Sequence, residues 1–323
     1  MQYKLLGRTG VKVSPLCFGT MTFGNEADES ISAAIYKRCR DAGINFFDCA
    51  NTYVGGRSEE ILGKLIKGER DQLVITTKVY GRVGQGVNDG GLSRYHITRQ
   101  VEASLKRLGT DRIDVYFCHM FDRQTPMEET IATMDDLVKQ GKIVYPAVSN
   151  WSAWQVTKAQ GIAERKHQAR FECIQPMYNL VKRQAEVELL PMAESEQIGV
   201  IPYNPLGAGL LTGKYSRQTK PDMGRLVDNK MYGIRYGDEA YLDVAERYVA
   251  YCKERGVSPV SVAVAWVMSH PAITAPIIGA RSVEQLEGSL GALDINMTPE
   301  WRAEISALSP TPPLATDRSE EQK

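Results

Sequence analysis

The chain has 323 residues, 43% hydrophobic and 24% charged, enough for one large barrel or two ordinary domains. Lysine plus arginine balances aspartate plus glutamate at 39 each, so no global charge steers the molecule to nucleic acid or an anionic membrane, and any anion site must be local. The six cysteines (Cys17, Cys39, Cys49, Cys118, Cys173, Cys252) form no Cys-x-x-Cys pair, which removes the usual zinc and dithiol spacings and leaves reduced, mostly buried thiols of a cytoplasmic protein. The start, Met1-Gln2-Tyr3-Lys4, carries no signal-peptide apolar region, and no apolar run is long enough to span a bilayer.

In chain order, Gln2 to Ser14 reads as a small hairpin turning at Gly7-Arg8-Thr9-Gly10. Short strand-like runs then recur at Leu16–Thr20, Ile44–Asp48, Leu73–Thr77, Ile113–Cys118, Ile143–Val148, Phe171–Ile174, Val200–Tyr203 and Thr274–Ile278. Most are almost wholly apolar, as strands of a parallel sheet buried on both faces should be. Between them lie helical periods: Ile31, Ile35 and Cys39 share one face, as do Val101, Leu105 and Leu108, and Ile131, Met134 and Val138. Before the eighth strand come a long polar loop around Ser216–Asp238 and two helices, about Glu239–Arg255 and Val260–Ser269. Strand starts recur roughly every 30 residues, the size of a βα unit. Eight strands in this alternation give a (β/α)8 TIM barrel with an N-terminal hairpin, and the same local pattern fits an open doubly wound sheet. Residues 1–308 are expected to form one barrel domain. The tail from Ser309 to Lys323, rich in proline and charge, is expected to be flexible.

Nearly every strand ends in a group able to move a proton or form a hydrogen bond: Asp48 with Tyr53 beyond it, Lys78, His119, Ser149-Asn150, Gln175, Tyr203-Asn204, and Gly279-Ala280-Arg281. In a barrel these ends converge on one mouth. A tyrosine is a poor acid at neutral pH, and a nearby ammonium favours its phenolate. Lys78 can be that ammonium, Asp48 can keep it charged, and His119 can orient a carbonyl oxygen. Singly, each has an ordinary reading: Asp48 as a turn cap, Tyr53 as packing, Lys78 as a solvated strand end, His119 as a core histidine. Other familiar sites fail. There is no P-loop and no His-Glu-x-x-His. Gly207-Ala208-Gly209-Leu210-Leu211-Thr212-Gly213 misses the Rossmann spacing and follows a late strand. Gly81–Gly91 reads as a surface loop over the mouth.

These residues resemble the aldo-keto reductases over roughly Tyr3 to Met297. Asp48-Cys49-Ala50-Asn51-Thr52-Tyr53 is similar to the family's Asp-x-Ala-x-x-Tyr signature, and Gly56-Arg57-Ser58-Glu59 continues it. Ile75-Thr76-Thr77-Lys78 and Tyr116-Phe117-Cys118-His119 are similar to the strands carrying its lysine and histidine. The resemblance implies a catalytic tetrad of Tyr53, Asp48, Lys78 and His119, with Tyr53 as general acid, and an extended nicotinamide cofactor across the mouth. Ser149, Asn150 and Gln175 would meet the carboxamide, and Tyr203 would stack on the ring. Gly19, Thr20 and Met21 would lie near the nicotinamide end, and the pyrophosphate would follow Asn204, Pro205, Leu206, Gly207, Gly209 and Leu211, with Lys214 beyond. Gly279, Ala280, Arg281 and Gln285 would hold the adenosine end. Arg281 favours NADP(H), with NAD(H) as the alternative. Gly288-Ser289 replaces the acidic-Asn pair many members carry near adenine. No metal is required.

Phe23, Tyr80, Phe121 and Trp151 are candidates to line the substrate pocket, with Tyr232, Tyr236, Arg225 and Arg235 from the long loop. Such a mixture suits a sugar-like carbonyl or an aromatic aldehyde. The expected partner is a small carbonyl or alcohol, with neither nucleic acid nor membrane; oligomeric state is not legible. Two alternatives stand: a regulatory barrel resembling potassium-channel β subunits, and a Schiff-base aldolase using Lys78.

Overall fold

The computed structural model describes residues 1–219, 221, 222, 224–318 and 320. Strands β1 (Lys4–Leu5) and β2 (Lys12–Val13) pair antiparallel, as the turn chemistry between them requires. Gly7 has φ 55°, and a Cβ there would lie 2.5 Å from the Gly199 nitrogen, so the hairpin packs tightly against the backbone at Gly199.

Eight further strands form one parallel sheet: β3 (Cys17–Gly19), β4 (Phe46–Asp48), β5 (Val74–Val79), β6 (Ile113–Cys118), β7 (Ile143–Ser149), β8 (Cys173–Gln175), β9 (Gly199–Val200) and β10 (Ile277–Ile278). They are hydrogen-bonded in the order β10-β3-β4-β5-β6-β7-β8-β9. The two ends meet through a few backbone bonds: Thr274 N–H to Val200 O (2.9 Å) and Ile277 N–H to Pro202 O (2.8 Å). The sheet therefore curls into a (β/α)8 barrel and is not the open doubly wound alternative. The last two ladders are shorter than the apolar runs suggested. Pro202 and Pro276 lack the N–H that a central strand needs, so the regular ladders are confined to Gly199–Val200 and Ile277–Ile278, and the rest of the two runs is tied by single bonds such as Ile201 N–H to Ile174 O (3.0 Å) and Tyr203 N–H to Pro176 O (2.9 Å).

The outer layer comprises α1 (Glu29–Asp41), α2 (Arg57–Leu65), α3 (Arg94–Leu108), α4 (Met127–Lys139), α5 (Ala153–Arg165), α6 (Leu189–Ser195), α7 (Arg225–Asp228), α8 (Lys230–Tyr236), α9 (Glu239–Glu254), α10 (Pro259–Met268), α11 (Val283–Leu290) and α12 (Pro299–Ser306). Asp28, Ser93, Asp238, Ser258, Ser282 and Thr298 begin helices by accepting a backbone N–H. The expected polar loop around Ser216–Asp238 is partly helical. Asn229 caps α8, and Tyr232 and Tyr236, one turn apart, bury its inner side. Lys220 and Met223 of that loop lie outside the described residues, as do Ser319 and Glu321–Lys323 of the expected tail. Ile31 is exposed, so the buried face of α1 is built from Ser32, Ile35, Tyr36 and Cys39 instead.

The period of two along each strand sorts the side chains into two cores. Phe46, Val74, Val115, Phe117, Ala147, Cys173 and Ile277 fill the barrel interior, and Leu6 of the hairpin is buried with them. Phe47, Ile75, Tyr116, Val148, Ile174 and Ile278 point outward and pack under the helices. All six cysteines are free thiols and buried. Among the described residues no helix is long and apolar enough to cross a membrane.

Candidate active site

The alternation that points Phe46 inward also points Asp48 inward, one step nearer the C-terminal rim. Val74 and Thr76 likewise bring Lys78 into the interior, and Val115 and Phe117 bring His119. Asp48 is a buried hub. Its Oδ2 accepts from Lys78 Nζ at 2.6 Å, and its Oδ1 accepts from Thr76 Oγ1 (2.6 Å) and Gln175 Nε2 (2.9 Å). Lys78 is fully buried. Its other two donors reach the Cys49 carbonyl at 2.7 Å and the Tyr53 hydroxyl at 3.3 Å, so all three ammonium hydrogens are occupied. Tyr53 opens a 3-10 turn, Tyr53–Gly56, in which Val54 (φ 49°) and Gly55 (φ 62°) both take left-handed φ. A β-branched residue there is strained, and that tight reversal presents the phenol to Lys78. The rings of Tyr53 and His119 stand nearly perpendicular, 6.2 Å apart.

Burial pushes the Tyr53 phenol up to about 12, although Lys78 pulls the other way. The sequence suggested that Lys78 would leave Tyr53 more acidic than usual; desolvation outweighs it. Burial alone would pull the Lys78 ammonium down, but Asp48 and Tyr53 raise it above its ordinary value. Burial, reinforced by Lys78, pulls His119 down to about 3, so its imidazole is neutral at pH 7.

A second arc of polar groups adjoins this one. Ser149 Oγ donates to Gln175 O (2.9 Å), and Asn150 Nδ2 donates to His119 O (2.9 Å) and Ser149 Oγ (3.0 Å). The Tyr203 hydroxyl donates to Asn150 Oδ1 (2.8 Å). Thr20 is buried with its hydroxyl on Asp48 O (3.1 Å), Gly19 pairs beside Asp48 in the sheet, and Met21 is half-buried. Beyond Tyr203 a groove of about 440 Å³ runs outward between the residues after β9 and those after β10. Asn204, Pro205, Leu206, Gly209 and Lys214 form one wall, and Gly279, Ala280, Arg281 and Gln285 the other, with Gly288 and Ser289 at its end. Gly207 and Leu211 are buried beneath the first wall. Lys214, Arg225 and Arg281 all face this groove. Burial and the two arginines together pull the Lys214 ammonium below its ordinary value, as expected where cations crowd one cavity.

The family model described as "Aldo/keto reductase family" matches residues 15–310. The chain belongs to the aldo/keto reductase family. A protein of Oryza sativa subsp. japonica named "Probable voltage-gated potassium channel subunit beta" is 38% identical over 98% of this chain and 99% of its own length. "Uncharacterized oxidoreductase YrpG" of Bacillus subtilis is 39% identical over 97% of each chain. "Versiconal hemiacetal acetate reductase" of Aspergillus parasiticus is 32% identical over 93% of this chain and 94% of its own. Family membership and these relatives support an oxidoreductase.

On this aldo/keto reductase barrel the four expected tetrad residues lie together, and the expected cofactor residues lie along the arc and the groove except Gly207 and Leu211, which are buried beneath its wall. The expected substrate pocket needs correction. Phe23 is fully buried, its ring 5.7 Å from Phe18 in the outer core, so it packs there and is not an open wall of the mouth. Trp151 is also buried, edge-on to Phe121 (4.9 Å) and Phe171 (5.6 Å), and so backs Phe121. Tyr80 and Phe121 are half-buried. Tyr236 is buried, with Asn179 donating to its hydroxyl (3.0 Å); buried Tyr232 lies between Arg225 and Arg235, 5.6 and 5.3 Å from its ring. Arg225 belongs to the groove, a placement that depends on how a long connection folds back and leaves no local trace in sequence. Thr22 and Glu26 also line the groove and were missed. Thr22 donates to Ala280 O (2.8 Å), tying the segment after β3 to the one after β10; its place just after Gly19-Thr20-Met21 was the available signal.

Proposed function

We propose that this chain transfers hydride between NADP(H) and a small carbonyl or alcohol substrate, with Tyr53 as general acid in reduction and general base in oxidation. One observation carries the reading: a tyrosine hydroxyl 3.3 Å from a fully buried ammonium that is itself held by a carboxylate, at the rim beside a cationic groove. The groove suits a dinucleotide phosphate. It gathers Lys214, Arg225 and Arg281, and Gly209 at φ 97° leaves backbone bare where a Cβ would lie 2.8 Å from Lys214 Cε. Ser149, Asn150 and Gln175 would meet the carboxamide and Tyr203 the nicotinamide ring. Arg281, with Lys214 or Arg225, would meet phosphate, a task for which a guanidinium fork is suited.

When bound, the nicotinamide supplies or accepts the hydride. The chain's own residues manage the proton. Tyr53 gives its hydroxyl proton to the carbonyl oxygen, and the phenolate that remains faces the Lys78 ammonium. Asp48 keeps that ammonium charged and in place. His119, neutral, is free to donate one N–H to the substrate oxygen and hold it toward Tyr53. The Schiff-base alternative is disfavoured, because an ammonium with three acceptors and a raised pKa offers no lone pair.

Titration with NADPH and NADH, read by tryptophan fluorescence, tests the reading. Tight binding of NADPH followed by its oxidation with an aldehyde panel supports it. Preference for NADH keeps the chemistry and removes the role of Arg281. Binding of neither overturns it. The likeness to proteins named as potassium-channel β subunits favours a second reading, a barrel that also partners a channel, and co-purification with a membrane protein would be its signature.

A further inference from the structure

Behind the tetrad, on the helix side of the sheet, lies a charged group the chemistry above does not use. Glu59, in the first turn of α2, is completely buried. Its Oε1 accepts from Thr77 Oγ1 at 2.5 Å, and its Oε2 accepts from Arg107 Nε at 2.6 Å, across from α3. Thr77 is the residue before Lys78. One position earlier on α2, Ser58 Oγ donates to the Thr20 carbonyl (2.7 Å) and lies 3.3 Å from the sulfur of Cys49, the residue after Asp48. The Arg107 side chain also fills the space under Gly56, where a Cβ would come within 2.8 Å of its Cδ. Gly56 ends the turn that begins with Tyr53. A single carboxylate thus joins the strand that carries the lysine, and through Arg107 the turn that carries the tyrosine.

We propose that Glu59 and Arg107 are positioning residues: the ion pair of buried Glu59 with half-buried Arg107 sets the approach of the Tyr53 hydroxyl to the Lys78 ammonium by clamping the Tyr53–Gly56 turn and β5 to one point. The inference rests on the reading of Tyr53 as the proton donor. Neither residue reaches the barrel interior, so their effect passes through the backbone. A buried carboxylate is costly unless fully paired, and here both oxygens are bonded. A clamp whose sole purpose was to join α2 and α3 would not need the Thr77 arm, which reaches into the sheet.

Glu59→Gln keeps the size and can still bond both neighbours, but it removes the charge, so the ion pair to Arg107 is lost whichever way the amide turns. Thr77→Val removes the other arm alone and keeps the ion pair, so it serves if the first variant folds poorly. Both are made in the full chain and assayed with NADPH and an aromatic aldehyde. The expected result is NADPH affinity within about twofold of wild type and aldehyde KM little changed, with kcat lower by about tenfold or more in Glu59→Gln, since small misplacements of reacting groups are expensive in rate. The crystal structure of the Glu59→Gln variant should show Tyr53 OH and Lys78 Nζ drawn out of hydrogen-bonding range. Folded variants with kcat unchanged and that separation still near 3.3 Å overturn the clamp, whatever their thermal stability. Wild-type protein that oxidises no NADPH would instead overturn the catalytic reading, and the crystallographic distance would still judge the clamp.

Discussion

Lys78→Met separates the two jobs the lysine performs. The side chains are similar in length, so the substitution removes charge with little change in volume. It leaves Asp48, with 3% of its side chain exposed, holding a negative charge supported only by Thr76 and Gln175. Removing one partner of a buried ion pair costs about 3–5 kcal/mol. At about 2.1 cal/mol/K of unfolding entropy per residue, that lowers the thermal midpoint of a chain this size by roughly 4–7 °C. The phenol loses the one charge that pulls its pKa down, and as general acid it should lose about 10²–10⁴-fold in kcat. The double variant Asp48→Asn/Lys78→Met removes both charges. It should recover most of the lost stability, because a buried pair replaced as a unit is often close to neutral, yet recover none of the turnover. Differential scanning fluorimetry beside steady-state NADPH oxidation reads both quantities. A single variant as stable as wild type, or a double variant with restored turnover, would refute the assignment.

Tyr53→Phe should bind NADPH normally and lose about 10²–10⁴-fold in kcat, checked by fluorescence titration and initial rates. Arg281→Ala should weaken NADPH about ten- to a hundredfold, the range of a lost charged hydrogen bond, and leave NADH within about twofold; equal losses for both would place Arg281 away from the 2′-phosphate. Acid should destabilise the fold through its histidines. His119 is held near 3 and His270 near 4, so between those values and their unfolded pKa of about 6.5 the unfolded chain binds more protons. The stability they allow is complete above pH 6.5 and falls as pH drops towards 3. His119→Asn should flatten the decline of thermal midpoint between pH 6.5 and 4; an unchanged slope would mean His119 titrates normally.

The barrel was legible because its strands, buried on both faces, are written as apolar runs, and each ends where the interior meets solvent. Asp48, Lys78 and His119 were legible for the same reason: the period that buries Phe46, Val74 and Phe117 fixes where the next inward side chain falls. What could not be read depends on distant packing. Phe23 looks like a rim aromatic, yet it turns into the outer core against Phe18. Tyr232 and Tyr236 sit in a stretch of polar composition, and only their burial against the rest of the barrel reveals a helix there. The resting pKa of Tyr53 was misjudged because a sequence names the neighbouring charge but not the depth of burial.

The closure of the sheet has a mechanical meaning. Seven junctions in this cylinder are regular ladders, whereas the eighth is fastened by scattered bonds such as Ile277 N–H to Pro202 O. The proposed cofactor groove lies over that same junction, with one wall from each side. A dinucleotide seated there would act like a hoop on a cask, drawing the two edge staves together at the joint that no regular ladder closes. Its stabilisation, RT ln(1 + [L]/Kd) in total, should then be concentrated locally. Hydrogen exchange at Thr274 and Ile277 should slow more on NADPH addition than exchange in β6 and β7, and uniform protection would deny the ligand that fastening role.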